Sequence, residues 1–344
     1  MVRTLTSREL NRAMLARQSL LKRSRLSIPK LVDRMAGVQA QYAPAMYVGL
    51  WSRLEGLKRE SVTRALRNRA IVQGTLLRST IHLVSASDYW PWAVAIRDSR
   101  RQWWLRVRPE EADEAKFLEA AVAARGLLSS GPRSAAELEA TLGRDRWMGV
   151  GLWIDLVRVP PSGTWEKRRA DLYADAELWI PPAAISPPAA RAHLVRRYLG
   201  GFGPATLNDI ASWSGLTLNE VKGAVAAIDV RRFRSEEGKE LVDLPRAPLP
   251  DGDVTAPVRF LHVWDAMLLV HARRTGVLRE EHRPVIFSAK NPQSLPTFLV
   301  DGVVAGSWRF ADGQVELTPF DPIPRPWKRD LEEEARALAA FHVE

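Results

Sequence analysis

From residue 7 onward the apolar positions recur at helical spacing. Residues 8–16 read as a helix capped by Ser7, and Pro29 suits the first turn of a second helix on which Leu31, Met35 and Val38 share a face. A third helix is expected over 44–57, with Met46, Leu50 and Leu54 in one stripe, and a fourth over 60–69. The period then shortens to two: 71–76 and 80–84 read as strands. Helices followed by a hairpin form the winged-helix pattern. Ser85 and Asp88 have capping-box spacing ahead of a Trp-rich helix that ends near Arg106.

The pattern returns twice. Near Leu127 a second unit begins, with Ser134 and Glu137 as a capping box for a helix to Leu142, a candidate recognition helix over 147–157, and a turn at 159–169 leading into a basic wing. The Pro-rich stretch 181–188 reads as a linker. In the third unit Thr206 and Asp209 start a helix to Ser214, Gly215-Leu216 is the turn, and Thr217 and Glu220 start the next helix, reaching Ile228. Residues 229–234 and 239–244 look like its wing. Beyond Arg259 the chain becomes β-rich. Strands are expected over 284–288 and 297–300, hairpin turns at Asp301-Gly302 and Asp312-Gly313, and an amphipathic helix over 331–341. The expected fold is therefore α+β: three tandem winged-helix units (1–106, 107–188, 189–250) and a β-rich subdomain (251–344).

Charge sharpens this picture. The 344 residues carry a net charge of +10, which favours a polyanionic partner. Arginine far outnumbers lysine and suits bidentate phosphate contacts; an Arg-favouring codon bias accounts for that preference as readily, but less well for the net positive balance. With no cysteine, disulfides, thiolate metal sites and a cysteine nucleophile are excluded. Six histidines are scattered and none forms an H-x-x-x-H pair, so neither a metal nor a cofactor is expected. The first thirty residues lack a signal-peptide core, and no stretch approaches the roughly 20 apolar residues that span a bilayer. A cytoplasmic protein without membrane contact is expected, and tandem units in one chain make a monomer the expected state.

The most informative short stretch is Gly37-Val-Gln39-Ala-Gln41-Tyr42. On a helix, side chains two apart diverge; on an extended segment they point the same way. Gly37 upstream and Pro44 downstream favour a helix that ends near Gly37, with both amides projecting together and Ala40 facing the packed side. Two neutral amides cannot deprotonate water, but they can hold and orient one. That suffices where the leaving group is already good, as in an N7-alkylated guanine, whose positive charge primes the glycosidic bond. Two glutamines satisfying backbone groups at a helix end are the structural alternative.

Several stretches carry a resemblance: Met35-Ala-Gly-Val-Gln-Ala-Gln41, Leu50-Trp-Ser-Arg-Leu54, Leu77-Arg-Ser-Thr-Ile-His-Leu83, Phe202-Gly-Pro-Ala-Thr206 and Leu299-Val-Asp-Gly-Val-Val-Ala-Gly-Ser-Trp308. In order and over nearly the whole chain, the sequence resembles the AlkZ-type family of winged-helix DNA glycosylases. The resemblance implies three winged-helix units with a β-rich C-terminal part, removal of N7-alkylated purines including bulky adducts and interstrand cross-links, and a catalytic pair at Gln39 and Gln41. Glutamine at both positions looks like the branch tied to self-resistance in genotoxin producers; the broader-substrate branch has aspartate second. The chain departs from the family at Arg78-Ser79-Thr80, where Arg-Gly-Thr is usual, and at Val263-Trp264-Asp265-Ala266, where Phe-Asp-Pro is usual, which puts a role for Asp265 in doubt.

Other candidates have two readings each. His82, in strand register with Thr80, either lines the pocket or is satisfied within the wing. Arg78 either clamps a phosphate or is a solvated turn residue. Arg168, Arg169, Arg231 and Arg232 are candidate wing-to-phosphate contacts. Trp90, Trp92, Trp103 and Trp104 suit core packing better than a base-stacking platform, and Trp308 either probes a groove or packs. His262 and His271 show no catalytic partner. No lysine adjoins the amides, Lys30 being nearest, so a monofunctional glycosylase acting on double-stranded DNA is expected rather than an imine-forming lyase. The competing readings are a non-catalytic winged-helix DNA-binding regulator and a protein that sequesters a free genotoxin.

Overall fold

In the computed structural model, which describes residues 2–109, 113–270, 276–287 and 294–344, a short strand β1 (Thr4–Leu5) precedes helix α1 (Ser7–Arg17). Thr6 rather than Ser7 caps α1: its extended backbone lets the hydroxyl accept from the Glu9 N–H while the Glu9 carboxylate accepts from the Thr6 N–H at 2.8 Å. Helix α2 (Ile28–Arg34) has Pro29 in its first turn as expected but ends before Met35, so Val38 falls instead in strand β2 (Val38–Gln39). Helix α3 (Ala43–Trp51) is shorter than its apolar stripe predicted, because the chain after Trp51 turns into a bridge in which Leu54 lies beside Ser24. Helix α4 (Arg59–Arg67), strands β3 (Ile71–Thr75) and β4 (Ile81–Ser85), and the Trp-rich helix α5 (Ala86–Val107) follow close to expectation. Ser85 caps α5, whereas the Asp88 carboxylate turns to His193 and Arg197.

The next stretch holds helix α6 (Glu114–Leu128), strand β5 (Arg133–Ser134) and helix α7 (Ala135–Leu142), the last opened by the predicted Ser134–Glu137 capping box. Helix α8 (Arg144–Val150) replaces the helix expected over 147–157: it begins earlier, and Leu156 and Val157 belong to strand β6 (Leu156–Arg158). Gly149 fixes that helix tightly against α6, since a Cβ there would lie 2.3 Å from the Phe117 ring. Strand β7 (Leu172–Asp175) and helix α9 (Ala176–Trp179) complete the segment. The proline-rich linker is shorter than its composition suggested. Pro187 opens helix α10 (Pro187–Phe202), with proline in the first turn where no intrahelical N–H is needed.

Both capping boxes of the third pattern form, in helices α11 (Leu207–Ser214) and α12 (Leu218–Ala226), joined through Gly215 in the left-handed conformation. Strands β8 (Arg231–Ser235) and β9 (Glu240–Asp243) form the hairpin after them. Strand β10 (Arg259–Leu261) leads into the C-terminal part. Residues 283–286 are helix α13 (Arg283–Ile286) rather than the expected strand, and Ser288 lies outside the described residues. Strands β11 (Thr297–Val300), β12 (Val303–Ala311) and β13 (Gln314–Pro319) turn at Asp301-Gly302 and Asp312-Gly313, and helix α14 (Arg325–Val343) ends the chain.

Three sheets result, ordered β2-β4-β3-β6-β7-β5, β1-β8-β9 and β10-β11-β12-β13. Sheet membership cuts across the divisions read from sequence. The first hairpin joins the second through Gln73 opposite Arg158, and β1 runs parallel to β8. Both faces of the β3–β4 hairpin are buried. Val72 and Val84 belong to one core cluster, shared with Trp92, Tyr198, Phe202 and Trp213; Ile71 and Leu83 belong to a second, shared with Met46, Tyr47, Phe260, Phe298 and Phe341. Adjacent apolar residues in these strands follow from that two-sided burial. Ion pairs bind distant elements inside: Arg17 reaches Asp243 through two bonds of 2.6 and 3.0 Å, and Arg53 reaches Asp265 at 2.8 Å, all four side chains being fully buried. No helix among the described residues is long and apolar enough to cross a membrane.

Candidate active site: paired amides on an extended segment

The backbone between α2 and α3 sets the site. Gly37 has φ +74°, and a Cβ there would lie 2.9 Å from Trp92 Cη2, so this turn needs both the conformational freedom and the missing side chain of glycine. From it the chain enters β2, which pairs antiparallel with β4: Val38 opposite Leu83 and Gln39 opposite His82. The Ala40 N–H donates to the Ile81 carbonyl at 2.8 Å, extending the pairing one residue. Ala40 is 1 % exposed and packs inward. Gln39 is half-buried and Gln41 exposed, and Gln39 Nε2 donates to Gln41 Oε1 at 2.6 Å. The two amides therefore project together. That bond uses one donor of Gln39 and one acceptor site of Gln41, leaving Gln39 Oε1 as an acceptor and Gln41 Nε2 as a donor.

His82 lies at the edge of this device. Directly opposed residues in a non-hydrogen-bonded antiparallel pair have the closest side chains, so His82 and Gln39 share a face. The ring is 4 % exposed, 6.4 Å from the Trp92 ring, and its Nδ1 lies 3.0 Å from the Thr80 carbonyl. A carbonyl only accepts, so Nδ1 carries the proton and Nε2 presents a lone pair. Burial pulls this imidazole down to about 3; the Thr80 carbonyl opposes it, and the charges of Arg78 and Arg100 add smaller downward pushes. It is neutral near pH 7. Thr80 donates its hydroxyl to the Leu77 carbonyl at 3.0 Å.

The arginines sort themselves by partner. Arg78, at φ 50°, is exposed as a residue but turns its guanidinium to the Trp213 carbonyl, tying the β3–β4 turn to α11. Arg168 is exposed and donates to the Tyr42 hydroxyl at 3.0 Å, which places it one residue along the chain from Gln41. Arg169 is exposed and pairs with Asp171 at 3.3 Å. Arg231 is a packing strut: Nε and Nη2 hold Asp243 Oδ2 at 3.0 and 2.7 Å, and Nη2 also holds the Ala247 carbonyl at 2.8 Å. Arg232 stays on the surface paired with Glu240.

Trp308 does not probe a groove. It is 8 % exposed, donates to the Leu261 carbonyl at 3.0 Å, and packs edge-on to Phe260 because its strand turns that face to α14. Trp90, Trp92 and Trp104 are likewise buried, whereas Trp103 is 43 % exposed. Lys30 lies 4.0 Å from Asp33 on its own helix. His262 is buried beside Asp265, and His271 lies outside the described residues. Asp265, doubtful from sequence, holds the interior together by accepting from the Arg53 guanidinium and the Met267 N–H. Among the described residues no cluster of His, Asp and Glu could hold a metal ion.

Sequence reasoning missed Tyr42 and Gln73. Tyr42 follows the amides directly, and that adjacency was the available signal. Gln73 is buried in β3 and donates to the Gly163 carbonyl at 2.7 Å, fixing the loop that carries Arg168. It also missed Arg100 and Arg158, which meet at Thr75: one donates to its carbonyl at 2.9 Å, the other to its hydroxyl at 2.8 Å. A cavity of about 760 Å³ lies elsewhere, between α1, α11, α12 and the β8–β9 hairpin, and the amides do not line it.

Comparison with known proteins gives the class first: this basic α+β chain with its paired amides is a DNA glycosylase. It belongs to the AlkZ-like DNA glycosylase family, whose model, described as "DNA glycosylase AlkZ-like", matches residues 32–341. A curated relative, "Interstrand DNA cross-link repair glycosylase" of Streptomyces sahachiroi, is 26% identical over 362 aligned positions covering 94% of this chain and 93% of that one. Among solved structures, the Streptomyces sahachiroi DNA glycosylase AlkZ superposes with a TM-score of 0.81 at 21% identity, covering 98% of this chain and 97% of that one, which shows a shared fold.

Proposed function

We propose that this chain is a monofunctional glycosylase that hydrolyses the N-glycosidic bond of N7-alkylated guanine in double-stranded DNA, including bulky adducts and interstrand cross-links. The observation that carries this reading is the 2.6 Å contact between the Gln39 and Gln41 amides on an extended, partly exposed segment. The relative's printed role in cross-link repair supports the substrate class.

The chemistry suits neutral groups. N7 alkylation puts a positive charge on the base, so the C1′–N9 electron pair leaves with it readily and neutralises it. A water that donates to Gln39 Oε1 and accepts from Gln41 Nε2 is held for attack on the oxocarbenium-like sugar carbon. Its oxygen bonds to C1′, its surplus proton passes to solvent, and the products are the neutral alkylated base and an abasic site. His82, neutral and tied through Nδ1, adds an acceptor beside this water without adding charge.

The same reading assigns three winged-helix units, bounded near 106, 188 and 250, to gripping the duplex. Arg168 and Arg169 are its phosphate contacts on the second hairpin and Arg232 on the third; Arg78, Thr80 and His82 line the site. We take the working form to be a cytoplasmic monomer, and the double-glutamine motif to suit self-resistance to a DNA-alkylating metabolite. The test is incubation of purified protein with duplexes carrying 7-methylguanine or larger N7 adducts. Abasic product is expected. Its absence above background across several adducts, together with sequence-selective binding of undamaged DNA, would leave a regulator instead.

A further inference from the structure

We propose that Tyr42 and Arg168 form a clamp for one backbone phosphodiester of the duplex, placed beside the amide pair. The ligand rests on the glycosylase reading; the geometry stands on contacts of its own.

Arg168 has no acidic partner among the described residues, and unlike Arg78, whose guanidinium is turned to the part-buried Trp213 carbonyl, it makes its hydrogen bond at the surface. Arg169, Arg231 and Arg232 each face a carboxylate. The hydrogen bond made by Arg168 goes to the neutral Tyr42 hydroxyl at 3.0 Å, with the guanidinium carbon 6.0 Å from the ring centroid. Both residues are exposed, Tyr42 by 40%. One of five N–H donors is thus committed, and the charge is uncompensated. A guanidinium held along one edge offers its remaining edge to an anion, and a phosphodiester matches that fork bidentately.

The clamp is built on a braced loop. The Ser162 hydroxyl donates to the Arg169 carbonyl at 2.7 Å and accepts from the Asp171 N–H at 2.7 Å. The Gly163 carbonyl receives the Gln73 amide, and a Cβ on Gly163 would lie 2.5 Å from Gln73 Oε1, so the loop sits directly on β3. Trp165 is 7 % exposed and packs against Tyr47 and Phe341, anchoring the loop two residues before Lys167. Little conformational freedom remains to be lost when an anion binds. The field there is positive as well: Arg59 and Arg168, after burial, hold the His342 imidazole down to about 4. Because Tyr42 is the next residue after Gln41, a phosphate on Arg168 fixes how the sugar approaches the amides. Tyr42 is then a positioning residue, acting through the arginine.

The experiment uses full-length protein and a duplex with a non-hydrolysable abasic analogue, titrated over a salt series. Arg168→Gln should reduce the slope of log affinity against log salt by about 1, the signature of one lost phosphate contact. Tyr42→Phe should keep the slope, weaken binding about threefold to tenfold and slow single-turnover excision; in the Arg168→Gln background it should have no further effect. Arg309→Gln, on the exposed face of β12 and paired with Glu316, is the control. Replacing single phosphates near the analogue with methylphosphonates should erase the difference between wild type and Arg168→Gln at one position. The clamp is overturned if Arg168→Gln behaves like the control, if the two substitutions are additive, or if no flanking methylphosphonate removes the difference. Binding is read without turnover. A changed slope without excision of any adduct would therefore defeat the glycosylase reading and leave the clamp standing.

Discussion

Gln39 stands opposite His82 across the β2–β4 pair, an amide that cannot titrate beside an imidazole that burial keeps unprotonated. Since the folded value is depressed to about 3, the folded protein excludes a proton that the unfolded chain takes up near pH 6.5. The unfolded state then binds more protons as pH falls, so stability is full above about 6.5 and declines below it. Between pH 7 and pH 5 the linkage amounts to about 2 kcal/mol for His82, and somewhat less for the partly exposed His342. Thermal melting should shift down over that interval. Single-turnover excision, measured where the protein stays folded, should show no inflection between pH 6 and 8; a bell-shaped profile centred there would contradict a site run by neutral groups.

Replacing both amides isolates their role. The Gln39→Ala, Gln41→Ala variant should retain duplex affinity within about threefold, because phosphate contacts dominate binding. Its excision should fall by at least about a hundredfold, the scale of losing positioning and polar stabilisation. Undiminished excision would remove the amides from the chemistry.

Gly37→Ala tests the turn that aims the amides. The substitution puts a methyl 2.9 Å from Trp92 at φ +74°. A loss of about 1–3 kcal/mol is expected in a denaturant titration. Excision should drop further than DNA affinity, because the turn feeds directly into β2. A neutral effect on both would show that the backbone there relaxes freely.

Asp265→Ala leaves the Arg53 guanidinium buried and without its carboxylate. Removing one partner of a buried pair costs about 3–5 kcal/mol. Leucine at both positions should recover part of that loss, a comparison readable in melting curves. Failure of the single variant to destabilise would mean that the carboxylate offers little to β10 and α3.

Local chemistry carried most of the sequence reading. Capping boxes at Ser134, Thr206 and Thr217 begin helices where the residues say, since a hydroxyl and a carboxylate three apart close reciprocal bonds without tertiary help. The extended Gln39–Gln41 segment also followed from Gly37 and Pro44. Tertiary packing decided the rest. Residues 156–157 join β6 because both pair with β7 and Val157 also pairs with β3, and residues 283–286 fold as a helix despite a strand-like composition. Trp308 and Arg231 show the same limit at the site level: alternation and charge mark an exposed hairpin, but only the fold reveals a neighbouring helix or a buried carboxylate. Tyr42 and Arg168 meet over 126 positions of chain, a separation that no local pattern spans.

The seam between β3 and β6 also bears on how the substrate must behave. Gln73 and Gly74 pair there with Arg158 and Val157, so the hairpin beside the amides and the one whose loop carries Arg168 belong to a single hydrogen-bonded surface. Such a surface does not swing open at a joint. On the proposed reading, a bulky lesion would meet a nearly fixed jaw, and the duplex, kinking or unstacking to bring its damaged nucleotide in, would become the pliable partner.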